Sequence, residues 1–551
     1  MYIFYVPDNI EPLIIQEVIM KNRLVFSIFI YYVLLFFLIY PSSYSEHINL
    51  RDFGASGNAN TVDTQFIQKA IDAAAEKSCT LVIPSGMYLT GSLHLRSNIH
   101  IYLEPGAVIL GSQKKEDYDP FEELNFPNDA DHETSFFHHS LLWGEDIENV
   151  FITGFGTINS NFTKRGGPKA LAFKRCKNIR IEGITIRNCP NYSISLLGCE
   201  QVTIDKVQIL NGYADGIDPD SCQFVFISNC HIETVDDAIV PKSSFSLGYR
   251  RPCTDITVTN CYLSSRCNGF KLGTESGADF KRITFSNSVI RGLITAQKPG
   301  ISGVSIESVD GSHIEGITVT GIVMDWVRSP IFIRLGNRGR DGATSPGSIK
   351  GVTISNIVAT RASNPNIIAG IPNYPIENVL IQNASCSFSG SNPLRPINEP
   401  VPEEIDRYPE ALMFGALPSY AFYIRHAKGV QLQNISFEAS IPFWRITTHK
   451  YKDISWDEQG NPTNNFENAS PNIAIWVEDV HDFVLSDWQE RAVSDNIEIL
   501  YLKDIHNAQI DSPIKYRNNR HWCTIHGGDV DSIQINGSEP IKQVKDIKII
   551  K

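Results

Sequence analysis

Apolar and polar positions alternate in short runs along most of the chain. "NVFITG", "NIRIEG", "QVTIDK", "FVFISN", "DITVTN", "RITFSN", "GITVTG", "GVTISN", "NVLIQN" and "GVQLQN" are ten such runs. Each predicts a short strand with one buried face. The first apolar position of each run serves as an anchor: Val150, Ile179, Val202, Val225, Ile256, Ile283, Ile317, Val352, Val379 and Val430. Most steps between anchors lie in the twenties or thirties; the last is longer and implies an insertion. Four residues after the anchors stand Gly154, Gly183, Lys206, Asn229, Asn260, Asn287, Gly321, Asn356, Asn383 and Asn434. All but Lys206 are Gly or Asn, the residues that best tolerate a left-handed backbone, so one sharp corner recurs in every repeat. Three residues before four of the anchors stand Cys176, Cys199, Cys222 and Cys253. A column of like residues is what stacked coils produce, and core packing explains these thiols better than redox chemistry does. No 3.6-residue period accompanies the repeat, so helical solenoids are excluded. The expected fold is all-β: a parallel β-helix, in which each coil buries its apolar side only against its neighbours.

Other segments fit around that stack. "DTQFIQKAIDAAAEK" (Asp63 to Lys77) puts Phe66, Ile67, Ala70, Ile71 and Ala74 on one helical face. Such a helix suits the open first coil, whose apolar core and strand edge need a cover. A cap is expected over about 46–115, within a single domain spanning 46–551. Pro-rich "PLRPINEPVPEEIDRYPE" and polar "RITTHKYKDISWDEQGNPTNNFENASPN" predict long loops over about 390–425 and 440–472. Loops on one side of a solenoid usually shape a binding groove. At the N-terminus, Lys21 and Arg23 precede an apolar run from Leu24 to Tyr40, ended by Pro41 and followed by the small residues Ser43 and Ser45. Residues 1–45 therefore read as a secretory signal, with Met20 an alternative start, against the competing reading of an uncleaved anchor. Export, to the medium or a periplasm, follows from the first reading. The formal net charge of -13 argues against a nucleic-acid partner. The eleven cysteines show neither zinc-like spacing nor a small disulfide framework.

Placed on the repeat, one acidic stretch changes meaning. "DGIDPDSCQFVFISNCHIETVDD" crowds Asp215, Asp218, Asp220, Asp236 and Asp237. Asp215 lies thirteen residues after Val202, Asp236 and Asp237 lie eleven and twelve after Val225, and Asn268 lies twelve after Ile256. These positions stack on three successive coils. Three readings stand: turn residues, a calcium site outside any EF-hand spacing, or an acid/base set in which neighbouring carboxyls drive one another's pKa values apart. The coincidence of register favours the third. Asp218 and Asp220 then support the others.

"ADGIDPDSC" followed by "TVDDAIVPKS" resembles the paired aspartate motifs of the polygalacturonase family, glycoside hydrolase family 28. "NLRDFGASGNANTVDTQFIQKAIDAA" resembles the N-terminal segment of the same enzymes, and the likeness runs from about Ile48 through most of the chain. The resemblance implies a right-handed parallel β-helix and inverting hydrolysis of pectin. It implies Asp236 as general acid, Asp215 and Asp237 as the pair that positions and deprotonates water, and Lys242 as a charge-steering residue near the site. Two motifs depart from the family pattern. Asn268 in "CNGFKLGTES" stands at the usual histidine, and "GVSIESVDG" puts Ser305 and Glu307 at usual basic positions that bind the galacturonate carboxylate. Glu307 repels a carboxylate unless Lys271 pairs with it. Replacement cations are Lys271, Arg334, Arg338 and Arg340, the arginines suiting carboxylates through bidentate bonding. Lys242, Asn268, Lys271, Arg334 and Arg338 are therefore the candidate substrate-binding residues. His132, His138 and His139 sit among aromatics that suit either a groove wall or loop packing.

The expected partner is a pectic polysaccharide or oligosaccharide acted on by a monomer, with no cofactor, no metal, no nucleic acid and, after signal cleavage, no membrane. A β-helix polysaccharide lyase and a non-catalytic glycan-binding β-helix are the alternatives.

Overall fold

The ten anchors pair with one another, in order, as in-register partners of parallel strands from Val150 to Val430. The computed structural model describes residues 47–389, 394–439, 444–446, 466–468, 472–491, 497–511, 522–528, 532–535, 539–540 and 547–550. The segment read as a signal lies outside these residues, as does most of 440–472. Among the described residues, no helix is long and apolar enough to cross a membrane.

The same row of partners extends beyond the ten runs. Ile99 pairs with Val150, Val430 with Phe483, Phe483 with Ala508 and Ala508 with Ile533. Coils therefore begin inside the segment assigned to the cap. Strand Ile99–Leu103 has Leu103 four residues after its anchor, so it lacks the Gly/Asn corner that marked the others. The inward residues of all these strands form one continuous apolar core from Ile48 to Ile535.

The corners explain the ladder. All ten residues four after an anchor, Lys206 included, have positive φ, from 48° at Asn287 to 122° at Gly154. A second left-handed column stands one residue before each anchor: Asn149, Asn178, Gln201, Phe224, Asp255, Arg282, Gly316, Gly351, Asn378 and Gly429. Its mixed composition hid it from the sequence. A left-handed non-glycine residue costs about 1–2 kcal/mol. Side-chain amides stacked along the axis offset part of this: Asn260 donates to Asn229 at 2.5 Å, Asn434 to Asn383 at 2.8 Å and Asn178 to Asn149 at 2.7 Å. The cysteine column is buried, and the Cys199 amide donates to Cys222 Sγ at 3.3 Å.

Helix α1, Thr64–Glu76, buries Ile67, Ala70, Ile71 and Ala74 over the first coils. Asp63 precedes it. Its carboxylate accepts from the Ser56 and Gly57 amides at 2.9 and 3.0 Å, which ties the cap to the preceding loop.

A second sheet carries the face that matters for function. Leu93–His94, Ser140–Glu145, Lys169–Lys174, Ile194–Leu197 and Ile217–Asp220 stack in that order. Beyond Ile217 the sheet thins to single bridges, Ile217 to Ile239 and Ile239 to Phe270. It then resumes through Asn268–Leu272, Gly300–Ser308, Val327–Leu335 and Asn366–Ala369. The loop after residue 393 roofs the later part of this face, packing Met413, Phe414 and Leu417 on Phe332, Ile367 and Tyr423. It ends before Ser419, where strand Ser419–Ala439 begins, earlier than the Pro-rich composition suggested. The reason is the pairing of Phe422 to Arg425 with Asn366 to Ala369.

Candidate active site

The three aspartates sit where the sheet thins. Asp215 follows strand Gln208–Gly212, and Asp236 and Asp237 follow His231–Thr234. Backbone bonds stack these corners coil on coil. The Ser193 amide donates to the Asp215 carbonyl at 3.0 Å, Gly216 to Asp237 at 2.9 Å and Ala238 to Asn268 at 2.9 Å. The Asp236 carbonyl is pinned by Thr234 Oγ1 and Ser265 Oγ, both at 2.7 Å. Close approach at Gly216 makes the stack possible: a Cβ there would lie 2.3 Å from the Ala238 carbonyl oxygen and 2.8 Å from Ile232 Cγ2. Gly216→Ala is therefore expected to spread the two coils, costing about 1–3 kcal/mol of stability and on the order of 10²-fold in kcat through misplacement of Asp215 against Asp237. Thermal melting and kcat measure the two effects; a wild-type kcat would contradict the assignment of these coils to the reaction.

The carboxyls differ in surroundings. Asp215 is buried, takes the Asp237 amide on Oδ1 at 3.1 Å and meets Lys242 Nζ at 2.9 Å on Oδ2. Burial pushes its carboxyl well up; Lys242 opposes this, and Asp218, Asp236 and Asp237 reinforce it. Asp237 is also buried, and its Oδ1 accepts from the Asn268 amide at 3.0 Å and Asn268 Nδ2 at 2.6 Å. Lys271 Nζ stands 3.2 Å from its other oxygen. The Asp236 side chain remains 24% exposed, and its Oδ2 meets Arg165 Nη1 at 2.5 Å. Burial pushes this carboxyl up too, but the Arg165 guanidinium outweighs it and holds Asp236 below the usual range. An oxygen of Asp236, an oxygen of Asp237 and Cys267 Sγ lie within 4.8 Å of one another.

Two buried lysines hold the array together. Lys242 bridges Asp215, Asp218 at 2.7 Å and the Tyr192 hydroxyl at 2.9 Å. Burial alone would lower its pKa, yet Asp215 and Asp218 raise it well above the ordinary value. Asp218 itself is pushed up to about 6, chiefly by burial. Asp220 accepts from the Ser244 amide at 2.8 Å and so braces the turn that carries Lys242. Lys271 lies between Asp237 and Glu307, 3.7 Å from the latter, with the Tyr408 hydroxyl at 3.4 Å. Glu307 is fully buried, and burial pushes its carboxyl to about 8. Lys271 thus faces the acidic residue that replaces a basic one. Ser305 Oγ donates to Asn268 Oδ1 at 3.2 Å and fixes the amide that grips Asp237.

The remaining candidates spread outward. Arg334 is buried under the roof, donating to the carbonyls of Gly370 at 3.0 Å, Glu403 at 2.8 Å and Glu404 at 2.9 Å. Arg338 makes a bidentate pair with Asp310 at 2.8 and 2.5 Å. Arg340 reaches the Asp129 carbonyl, 3.4 Å away on a different loop. Arg334 and Arg340 therefore anchor loops, whereas the Arg338 guanidinium also lies 6.0 Å from the centre of the Tyr408 ring, the tyrosine that reaches Lys271. His138 stacks on Trp143 and bonds Glu145 at 2.6 Å, whereas His132 packs against Phe121 and Phe136. His139 lines a cavity of about 290 Å³ with Tyr118, Phe121 and Phe162.

Arg165, its partner Glu133, Tyr192 and Tyr408 went unread in the sequence. Arg165 and Tyr408 lie on loops and Glu133 on the short helix His132–Ser135, so no repeat register marks them. Tyr192, thirteen residues after Ile179 as Asp215 is after Val202, does lie in register one coil before Asp215. Lys169 is a further buried group. Its Nζ donates to Ser195 Oγ at 2.9 Å over the Phe137 ring, and burial lowers its pKa to about 7.

The comparisons with known proteins fit this geometry. Residues 123–397 match the family model described as glycosyl hydrolases family 28. The chain is 26% identical over 368 residues to a "Probable polygalacturonase" of Vitis vinifera, covering 61% of this chain and 73% of that protein. It is 24% identical over 396 residues to an exo-poly-alpha-D-galacturonosidase of Dickeya chrysanthemi, covering 58% of this chain and 63% of that protein. Among solved structures, a hyperthermoactive exopolygalacturonase from Thermotoga maritima aligns with a TM-score of 0.57 at 22% identity, over 71% of this chain and 91% of that one. A family 28 exopolygalacturonase from Yersinia enterocolitica aligns with a TM-score of 0.58 at 18% identity, over 72% and 76%. The structural likenesses establish the fold as a right-handed parallel β-helix. With the family match lying over the coils that stack Asp215, Asp236 and Asp237, the chain belongs to glycosyl hydrolases family 28.

Proposed function

We propose that this protein is an exported hydrolase of pectic galacturonides that cleaves the glycosidic bond with inversion. The observation that carries the reading is the stacking of three carboxyls in three different environments on adjacent coils: Asp236 partly exposed and paired with Arg165, Asp237 gripped by Asn268 and Lys271, and Asp215 buried against Lys242. A glycosidase needs one carboxyl to give a proton and another to take one. Asp236, the most accessible, protonates the leaving glycosidic oxygen. Asp237 takes a proton from water while Asp215 positions that water. The water oxygen bonds to the anomeric carbon, the bond to the leaving oxygen breaks, and that oxygen departs as a hydroxyl bearing the proton from Asp236.

An oxygen of Asp236 lies within 4.8 Å of an oxygen of Asp237, so direct attack by Asp237 has to be weighed against attack by water. Asp237 is only 5% exposed, however, and its Oδ1 already accepts two hydrogen bonds from Asn268. A carboxylate so enclosed is a poor nucleophile toward carbon, which favours water as the attacking group. Glu307, pushed to about 8 by burial, is largely uncharged near neutral pH and does not repel an acidic sugar.

Product analysis tests the reading. Oligogalacturonides and rhamnogalacturonan fragments should yield new reducing ends without ultraviolet absorbance, and the first-formed anomer in proton NMR should be inverted. Unsaturated, absorbing products would make the enzyme a lyase. Retained anomers would overturn the roles given to water and Asp237.

A further inference from the structure

Among the described residues, three cations touch the aspartates, and two are enclosed. The side chains of Lys242 and Lys271 are 5% and 3% exposed, each held between two carboxylates. Arg165 differs. Its side chain is 46% exposed and forks between two acids: Nε and Nη2 both bond Glu133, Nε at 3.0 and 3.1 Å, and Nη1 meets Asp236 at 2.5 Å. It rides on a loop outside any strand, between Thr157–Asn159 and Lys169–Lys174. The next residue, Gly166, has φ of 102° and open space where a Cβ would stand. The same loop contributes Gly166, Gly167 and Pro168 to the cavity lined by Phe121 and Phe162, whose aromatic faces suit a sugar ring.

This arrangement leaves the reaction a problem to solve. A general acid must carry a proton when the glycosidic bond breaks, and a carboxyl paired with a guanidinium does not. The charged and titratable groups facing Asp236 are Arg165, Lys271 and Lys242 on one side, and Asp215, Asp237 and Cys267 on the other. The lysines are tied to other carboxylates. Arg165, the exposed one, is the cation within reach of a substrate, and a uronate carboxylate is a strong ligand for a guanidinium.

Resting on the galacturonide reading above, we infer that Arg165 is the receptor for the substrate carboxylate and that its transfer from Asp236 to that carboxylate arms the general acid. Glu133 holds the Nε–Nη2 edge, so Nη1 is the donor that passes from Asp236 to the substrate carboxylate. Asp236, released, takes one proton from solvent and passes it to the glycosidic oxygen. An uncharged sugar fills the groove without drawing Arg165 away, so discrimination against it appears in kcat.

The test compares wild type, Arg165→Gln and Arg165→Lys on trigalacturonate and on its fully methyl-esterified form, with thermal melts to confirm folding. Wild type should cut the ester at least 10-fold more slowly in kcat. Arg165→Gln should bring the two kcat values within about 3-fold and move the alkaline limb of kcat/KM to higher pH, because the free enzyme's acid is no longer held ionised. Arg165→Lys should keep that limb near its wild-type position, its ammonium still facing Asp236, while losing part of the acid-over-ester preference. An unchanged preference and an unchanged limb in Arg165→Gln would overturn the inference, as would an equal loss on both substrates with the pH profile intact. Wild type inactive on every galacturonide would instead sink the galacturonide reading, and the role of Arg165 with it.

Discussion

Asp236→Asn is expected to lose about 10³-fold in kcat on pectic oligosaccharides while keeping the wild-type melting temperature. The amide is isosteric, and the Asp236 backbone stays pinned by Thr234 and Ser265 whatever the side chain carries. The amide has no acidic proton to give, so the leaving oxygen must depart as an alkoxide. The size of the loss should therefore depend on the leaving group. On an aryl galacturonide, which leaves as a stable phenolate, Asp236→Asn should recover most of the deficit. Asp237→Asn should not, because its task is at the water and is indifferent to the leaving group. Steady-state kcat on the two substrate types makes the comparison. Equal losses for both variants on both substrates would mean that Asp236 is not the proton donor.

How far the sequence reached follows from what a repeat can encode. The rung of Asp215, Asp237 and Asn268 was legible because coil register is set by strand alternation and left-handed corners, and a one-residue slip would turn every anchor outward. Lys271 was read from its place beside Asn268, and the structure pairs it across strands with Ser305. Register says nothing about loops that leave the coil. Arg165 and Glu133 meet across 32 residues of chain, and Tyr408 reaches Lys271 across 137, with no periodic mark on any of them. Arg334 and Arg338, offered as carboxylate-binding cations, carry loop contacts that register does not announce either. The structure gives their donors to the roof carbonyls and to Asp310, because a loop laid over a sheet must satisfy its buried backbone. The second left-handed column was hidden for another reason. Gln201, Phe224 and Arg282 adopt the corner under the pull of the strands on either side, and local propensity does not announce it.

Lys242→Met is the other change with a large expected effect, because it removes one charge from the middle of three buried groups. Lys242 contacts Asp215 at 2.9 Å, Asp218 at 2.7 Å and the Tyr192 hydroxyl at 2.9 Å, with its side chain 5% exposed. Breaking a buried ion pair by deleting one partner costs about 3–5 kcal/mol, since the other charge is left without compensation. Here two carboxyls are left. Burial already pushes both upward, and Lys242 is the main opposing force on each. Without it both rise further and hold their protons to higher pH. Two consequences separate this from general damage. Asp215 loses the charge that opposes its upward push and stays protonated to higher pH, so the acidic limb of kcat should move to higher pH. Asp215 also loses the contact that fixes its Oδ2, so the water it positions is misplaced and kcat falls on the order of 10²-fold with KM little changed. Arg165 bonds Asp236 and Glu133 and none of the groups that Lys242 contacts, so the preference for acidic over esterified substrate should survive. A pH profile that keeps the wild-type acidic limb, in a variant whose melt shows it folded, would remove Lys242 from the electrostatics of the reaction and leave it a packing role alone.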